Sequence, residues 1–338
     1  MTRDRDSTAG GDLVSLEAIR AAAAKLRGIA VRTPLVAFGD PAARRLLKAE
    51  SLQPIGAFKI RGAYVAIASL TPDERERGVI TYSSGNHAQG VARAARLLHA
   101  RAVVVMPSDA PAIKRERVAA DGAEIVIVGT ASDERQRVAE ALASERGLSI
   151  IPPFDDDRII AGQGTVGLEL VEDLADLACA LVPVGGGGLA SGVATAIKSL
   201  RPAASVIGVE SELAADAQES LARGEIVRWP AELVSRTIAD GTRTQSLGNR
   251  TFAHLRAYLD RIVTVSEVEI AGAVRLAAED SRLVVEPSGA LSVAALAFHA
   301  DELGLTRMQG SVVAVISGGN VDPARYRELL ASPIPTRA

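Results

Sequence analysis

Short runs of β-branched and aliphatic residues alternate with helical stretches along most of this chain, and that alternation restricts the fold more than any other feature. Val79–Ser83, Ala102–Met106, Glu124–Val128 and Ser149–Ile151 read as strands. The helical stretches Ala88–His99, a charged segment after Pro107, and Ser132–Arg146 lie between them. The pattern resumes with Ala180–Val184, Leu189–Ser199 and Val206–Glu210. It continues through Arg261–Val265, Ser266–Ser281, Ser288–Ala300 and Ser311–Ile316. Strands that are apolar throughout, joined by helices, imply mostly parallel sheets covered on both faces. Before these blocks, Ser15–Arg27 and Ile60–Leu70 read as helices, with extended chain at Thr33–Leu35. The fold class expected is α/β, with two doubly wound parallel-sheet domains and the smaller inserted in the larger. The boundaries expected are 13–75 with 152–338 for the large domain and 76–151 for the small one, after a disordered polar tail over 1–12.

Composition narrows the function. Only 3% of the 338 residues are aromatic, so Ala, Val, Leu and Ile must build the core. The net charge of −3 is spread without blocks of one sign, which argues against a nucleic-acid partner. Cys179 is the single cysteine. It allows no intrachain disulfide and no multi-thiolate zinc site, and in an apolar run it reads as a small core residue. No apolar stretch reaches the ~18 residues of a membrane span, and the N-terminus lacks the apolar segment of a signal peptide. No membrane contact and a cytoplasmic location are therefore expected.

Two segments carry chemistry. Val184-Gly185-Gly186-Gly187-Gly188-Leu189 joins a strand to a helix. Its glycines let several backbone N–H groups converge at a helix start, which suits a phosphate. Gly185, Gly187 and Ala190 also satisfy the dinucleotide pattern G-x-G-x-x-A, and the next strand ends in Glu210. A nicotinamide oxidoreductase is the rival reading at this point. The second segment is Glu50-Ser51-Leu52-Gln53-Pro54-Ile55-Gly56-Ala57-Phe58-Lys59-Ile60-Arg61-Gly62-Ala63. Lys59 lies between two apolar residues, where desolvation lowers an amine's pKa and makes it nucleophilic.

This lysine segment resembles the cofactor-lysine motif of the pyridoxal-phosphate-dependent serine/threonine dehydratase family, of the same fold type II as the tryptophan synthase β subunit. Other segments match the family in order: Tyr82–His87, Ala161-Gly162-Gln163-Gly164-Thr165, Val184–Leu189 and Ser317-Gly318-Gly319-Asn320. Catabolic threonine and serine dehydratases and serine racemases look most similar. The resemblance implies pyridoxal 5′-phosphate held as a Schiff base on Lys59, which then acts as the base at Cα. It implies that Phe58 packs on the cofactor, that Asn86 bonds its ring hydroxyl, and that Gly185, Gly186, Gly187, Gly188 and Leu189 bind its phosphate. Ser317 would face the pyridine nitrogen, where a neutral group favours prompt loss of the β-hydroxyl over transamination. Ser83, Ser84, Gly85, Asn86 and His87 would bind the substrate carboxylate. Ser84 matches the acid/base of serine racemases on the face opposite the lysine. Glu210, Ala214 and Asp216 resemble a family site for Mg²⁺ or Ca²⁺, and oxygen ligands suit such hard cations.

The activity implied is α,β-elimination from L-serine, L-threonine or a related 3-hydroxy amino acid, giving a 2-oxo acid and ammonia. Serine racemase and the 3-hydroxyaspartate, phenylserine and hydroxyectoine-pathway dehydratases are alternatives within that chemistry. A non-catalytic amino-acid binder on the same fold is the bland one. Ala57 stands where the family commonly has serine. Phe154 stands where mammalian serine racemase has asparagine, which tilts the reading toward elimination. The loop Asp240-Gly241-Thr242-Arg243-Thr244-Gln245 is a candidate for side-chain selection. The regulatory domain of biosynthetic threonine dehydratases has no counterpart by residue 338, so isoleucine feedback is not expected. The family also suggests a homodimer.

Overall fold

The computed structural model describes residues 12–83, 85–108, 110, 112–129 and 132–336. The tail expected over 1–12 therefore lies, apart from Asp12, outside the described residues. In chain order the elements begin with α1 (Leu16–Lys25), β1 (Leu35–Ala37), β2 (Arg45–Ala49), α2 (Lys59–Ala68) and α3 (Pro72–Arg77). Next come β3 (Val79–Tyr82), α4 (Asn86–Leu97), β4 (Ala102–Pro107), α5 (Ala112–Ala120), β5 (Glu124–Val128), α6 (Ser132–Arg146) and β6 (Ser149–Ile150). The third group is α7 (Asp157–Asp173), β7 (Leu177–Pro183), α8 (Gly188–Leu200), β8 (Ser205–Ser211), α9 (Asp216–Arg223), α10 (Ala231–Val234) and α11 (Asn249–Tyr258). The chain closes with β9 (Arg261–Val265), α12 (Glu267–Ser281), α13 (Pro287–Phe298), β10 (Ser311–Ile316) and α14 (Pro323–Leu330).

The strands form two sheets. The larger runs β1-β2-β10-β7-β8-β9, and only the β1–β2 pair is antiparallel. The smaller runs β5-β4-β3-β6, parallel throughout, and is built from residues 79–150. The chain is thus α/β with mainly parallel sheets. β10 is central in the large sheet, with Ala314 paired to Leu47 on one side and Leu181 on the other. All its residues are buried, yet the period-2 alternation of a strand persists. Val312, Ala314 and Ile316 pack with the residues of α13, while Val313 and Val315 pack with those of α8. A continuous apolar run is what a strand needs when helices cover both of its faces.

Sequence patterning did not disclose every element. β2 carries Arg45 and Lys48 and reads as polar, yet Lys48 is wholly buried. α7 is buried nearly all round and so has no polar stripe to mark its period. Its glycines let it cross α8 closely: a Cβ at Gly167 would stand 2.7 Å from the Val193 carbonyl oxygen.

The buried charges of β2 and α2 form one network. Arg61 is 1% exposed. Its Nε and Nη2 donate to the two Glu50 oxygens, each at 2.8 Å, and its Nη1 donates to Glu169 Oε1 at 2.7 Å. Lys48 Nζ pairs with Glu169 Oε2 at 2.6 Å and donates to the Thr33 carbonyl at 2.8 Å. Burial alone would raise the Glu50 carboxyl, but Arg61 and Lys48 outweigh it and hold it below its ordinary value. A cation removed here leaves a buried carboxylate without compensation. Arg61→Leu is therefore expected to cost about 3–5 kcal/mol of folding stability, read by urea denaturation, whereas Arg32→Leu at the exposed Arg32–Glu172 pair should cost under about 1 kcal/mol.

Candidate active site

The start of α2 is fixed by the strand end of β10. Ala57 and Gly318 form an antiparallel bridge, and the Phe58 N–H donates to the Ser317 carbonyl at 3.1 Å. Lys59 is the first residue of α2. Its Nζ donates to the Pro153 carbonyl at 2.7 Å and lies 5.1 Å from the Phe58 ring centroid. Desolvation pushes its amine down to about 8. It forms no ion pair with a carboxylate among the described residues. A lysine near 8 is neutral about one-tenth of the time at pH 7, a far larger fraction than an ordinary lysine.

The glycine loop stands beside it through Phe154, the next residue of the same segment. The Phe154 ring occupies the space a Cβ at Gly186 would need, and its Cβ lies 3.1 Å from where one at Gly188 would sit. Thr242 closes on Gly185 in the same way at 3.0 Å. Gly187, at φ +90, is the N-cap of α8. The chain leaves β7 through Val184, whose N–H is taken by the Val209 carbonyl. The next claimed amide in this stretch is that of Ser191, which donates to the Gly187 carbonyl at 2.8 Å. Among the described residues no acceptor takes the N–H groups of Gly185 to Leu189, and Gly186 to Leu189 are buried. Buried backbone donors without partners are rare, and this cluster at a helix N-terminus suits a phosphate. The residues present fit pyridoxal phosphate on both counts: an amine ready for an aldehyde and a donor cradle for a dianion.

The loop after β3 supplies the third wall. Gly85 is the N-cap of α4 and Asn86 its first residue. The Ser83 hydroxyl accepts the Gly85 N–H at 3.3 Å rather than capping the helix. Ser84 lies outside the described residues. His87 is buried, with Nε2 3.0 Å from the Ile151 carbonyl oxygen. Burial and the nearby Lys59 push its imidazole down to about 3, so the ring is neutral and Nε2–H donates to that carbonyl. Asn86 Nδ2 donates to Glu286 Oε1 at 2.6 Å, and Asn86 Oδ1 accepts from Asn320 Nδ2 at 2.8 Å. Ser317 is 6% exposed, its hydroxyl 3.4 Å from the Ser288 carbonyl.

Phe58, Lys59, Asn86 and Ser317 thus converge, and Pro153-Phe154 carries the glycine loop to them. Glu210, Ala214 and Asp216 stand apart, at the end of β8 and the start of α9. Both carboxylates are 1% exposed. Glu210 accepts the N–H groups of Ala217 and Gln218 at 3.2 and 2.8 Å, while neither oxygen of Asp216 has a partner. Burial and the adjacent Asp216 raise Glu210, and burial pushes Asp216 up to about 7. Among the described residues no group of three or more His, Cys, Asp or Glu gathers around a point. His254 is structural: Nε2 accepts the Val14 N–H at 2.9 Å and Nδ1 donates to the Arg250 carbonyl at 2.6 Å. Sequence reasoning missed Glu286 and Asn320 as partners of Asn86; in the loop it named over Asp240–Gln245, the Thr244 hydroxyl is buried without a partner. The available signal for Glu286 was an acid set between Val285 and the helix-starting Pro287.

The sequence profile of the family described as "Pyridoxal-phosphate dependent enzyme" matches residues 26–318. The chain is 43% identical over 284 residues to the L-threo-3-hydroxyaspartate ammonia-lyase of Saccharomyces cerevisiae, covering 84% of this chain and 85% of that protein. It is 42% identical over 314 residues to the L-threonine ammonia-lyase of Thermotoga maritima, covering 92% and 76%. The structure of maize serine racemase superposes with a TM-score of 0.88 at 34% identity, covering 94% of this chain and 97% of that one. The dinucleotide reading of the glycine loop loses its basis, and the chain belongs to the pyridoxal-phosphate-dependent enzyme family.

Proposed function

We propose that this protein is a pyridoxal-phosphate-dependent ammonia-lyase that converts L-serine, L-threonine or a related 3-hydroxy amino acid to a 2-oxo acid and ammonia. The carrying observation is the Lys59 amine, lowered to about 8 by burial, beside a run of unclaimed N–H groups from Gly185 to Leu189. Relatives named as ammonia-lyases support the reaction class. The water lost in elimination returns when the released enamine hydrolyses, so the balance is substrate to 2-oxo acid plus ammonia.

When bound, pyridoxal phosphate supplies an electron sink that acidifies the substrate Cα–H. The chain's own groups do the rest in this reading. Gly185, Gly186, Gly187, Gly188 and Leu189 bind the phosphate through backbone N–H groups, and Phe58 packs on the ring. Lys59 Nζ takes the Cα proton. Asn86 Nδ2 donates to the ring oxygen, and Ser317 offers the ring nitrogen a neutral hydroxyl. Ser83, Ser84, Gly85, Asn86 and His87 hold the substrate carboxylate, with His87 serving as a neutral hydrogen-bonding group. Thr244, with its buried unpartnered hydroxyl, faces the task of selecting the side chain. The second reading, racemisation, needs a proton carrier on the opposite face, the role given to Ser84, and is favoured by the likeness to maize serine racemase.

Residues 76–151 are read as the smaller domain, inserted in the larger. A homodimer in the cytoplasm completes the proposal; no described helix is long and apolar enough to cross a membrane. Glu210, Asp216 and the Ala214 carbonyl are proposed to hold Mg²⁺ or Ca²⁺ together with waters. Two buried carboxylates, one wholly unpartnered, suit a hard cation.

Borohydride treatment of the purified protein should fix a pyridoxyl adduct on Lys59, seen by peptide mass spectrometry. Lys59→Ala should form 2-oxo acid at least ~10³-fold more slowly. Wild-type activity, scored on L- and D-serine, L-threonine, the 3-hydroxyaspartates and phenylserine, should give 2-oxo acid faster than inverted amino acid; the reverse ratio would establish the racemase. For the cation, the sign follows from the raised carboxyls. Between the unfolded value near 4 and the folded value of about 7, only folded Asp216 keeps its proton, so stability falls as pH rises. After chelation the melting temperature should therefore fall between roughly pH 5 and 7.5, and Mg²⁺ or Ca²⁺ should restore it at the upper end. Asp216→Asn should abolish the rescue by metal and shrink the fall with pH, leaving the part that burial of Glu210 causes.

A further inference from the structure

Glu286 has no part in the reaction as read above, yet it is built into the site. It is the N-cap of α13 and 3% exposed. Its backbone N–H donates to the Gly318 carbonyl at 3.1 Å, one residue beyond Ser317. Gly318 must be glycine for this approach, because a Cβ there would meet the Glu286 carboxylate and stand 3.1 Å from Asn86 Nδ2. The Glu286 side chain uses the space so made to accept from Asn86 Nδ2 at 2.6 Å.

The other end of the Asn86 amide is also fixed. Asn320 Nδ2 donates to Asn86 Oδ1 and to the Ile55 carbonyl, each at 2.8 Å. Asn320 Oδ1 in turn accepts from Arg117 Nη1 at 2.6 Å, which keeps the donor end of Asn320 toward Asn86. A primary amide offers donors at one end and an acceptor at the other, and a half-turn exchanges them. A carboxylate only accepts. With Asn86 turned over, Oδ1 would face the Glu286 carboxylate and Nδ2 would face the Asn320 donor, so both bonds would be lost together. In the observed orientation one Nδ2 proton goes to Glu286. The other is claimed by no acceptor among the described residues.

We propose that Glu286 is a positioning residue: its carboxylate locks the Asn86 amide in the one orientation that presents a free Nδ2 proton to the ring oxygen of pyridoxal phosphate. This rests on the reading of Asn86 given above and explains why an acid is buried beside it. The lock is strongest when Glu286 is ionised, because a protonated acid can donate as well as accept and tolerates either amide orientation. The groups facing Glu286 set that balance. Burial first, and the Asp240 carboxylate next, push it up to about 7. Lys114, paired with Asp240 at 2.8 Å, acts the other way, as do the bonds from Asn86 and the Asn320 backbone.

The test is the dissociation constant of pyridoxal phosphate, measured by equilibrium dialysis against pH for the wild type and Glu286→Gln. The ratio of the two cancels the titration of the phosphate and of Lys59. Glutamine accepts and donates like the protonated acid, so the variant should bind roughly tenfold more weakly at pH 8.5 and converge on the wild type near pH 5.5. In an Asn86→Ala background, Glu286→Gln should change the constant by less than about twofold. A ratio that stays constant with pH, or a full loss that persists without Asn86, overturns the proposal. Should Glu286→Gln fail to fold, the Asn86→Ala to wild-type ratio must itself grow with pH, and a flat ratio has the same consequence. Absence of the borohydride adduct on wild-type Lys59 would instead sink the cofactor-site reading, so the two failures are distinguishable.

Discussion

The Arg61 guanidinium, sealed between Glu50 and Glu169, is the contact on which the position of Lys59 depends. Arg61 lies two residues beyond Lys59, in the first turn of α2. Its partners are Glu50, just after β2, and Glu169, near the C-terminal end of α7, so one side chain ties the start of α2 to both. Lys48 brings β2 to the same Glu169 carboxylate. Four charged side chains meet with little water, and each is stabilised only while the others stay in place. Such a network tolerates little displacement. On its other side α2 is held by the Ala57–Gly318 bridge and the Phe58–Ser317 hydrogen bond. The lysine therefore emerges from a helix start pinned from both directions, as the proposed covalent anchor requires.

The site beside this network follows the opposite electrostatic rule. In the support every buried charge has a partner of opposite sign. In the site the ionisable groups are buried with little compensation, and each shifts toward neutrality. Lys59 falls to about 8 and His87 to about 3, while Glu286 rises to about 7. Positive potential comes instead from backbone dipoles at the start of α8, which cannot titrate away. A neutral amine can attack an aldehyde or take a proton, and fixed N–H donors can hold an anion at any pH. Support and site thus divide the work: paired charges give rigidity, and unpaired ones give reactivity near neutral pH.

What could be read from the sequence was whatever a short window encodes. The apolar runs that became β3, β4, β7, β8 and β10 carry their burial in their own residues, and the glycine loop carries its conformation in its own composition. β2 was illegible because the partners that make Lys48 tolerable in the core lie about 120 residues away, at Glu169. α7 was hidden for a related reason. A helix packed on every side shows no periodic face, and its glycines serve contacts with α8 and α2 rather than a turn. Glu286 looked like an ordinary acid before a proline-started helix. Only the return of the chain through Ser317–Asn320 gives it Asn86 as a partner, some 200 residues away.

The parallel topology explains why these distant pieces meet. β3, β7 and β10 all run into the site at their C-terminal ends: β3 opens into Ser83–His87, β7 into Gly185–Leu189, and β10 into Ser317–Asn320. In a parallel sheet the loops that follow the strands share one edge, and the helices that begin there point their positive ends at it. Lys114 of α5 reaches Asp240 and Arg117 reaches Asn320, so charged and polar groups of the small sheet's layer close on loops of the large one. An antiparallel arrangement of the same strands would send alternate loops to opposite edges. The glycine loop and Ser317 would then part company, since β7 and β10 are neighbours in the sheet. Mutual parallelism of those two strands is thus the geometric condition under which the proposed phosphate loop and the proposed partner of the ring nitrogen lie on a single sheet edge.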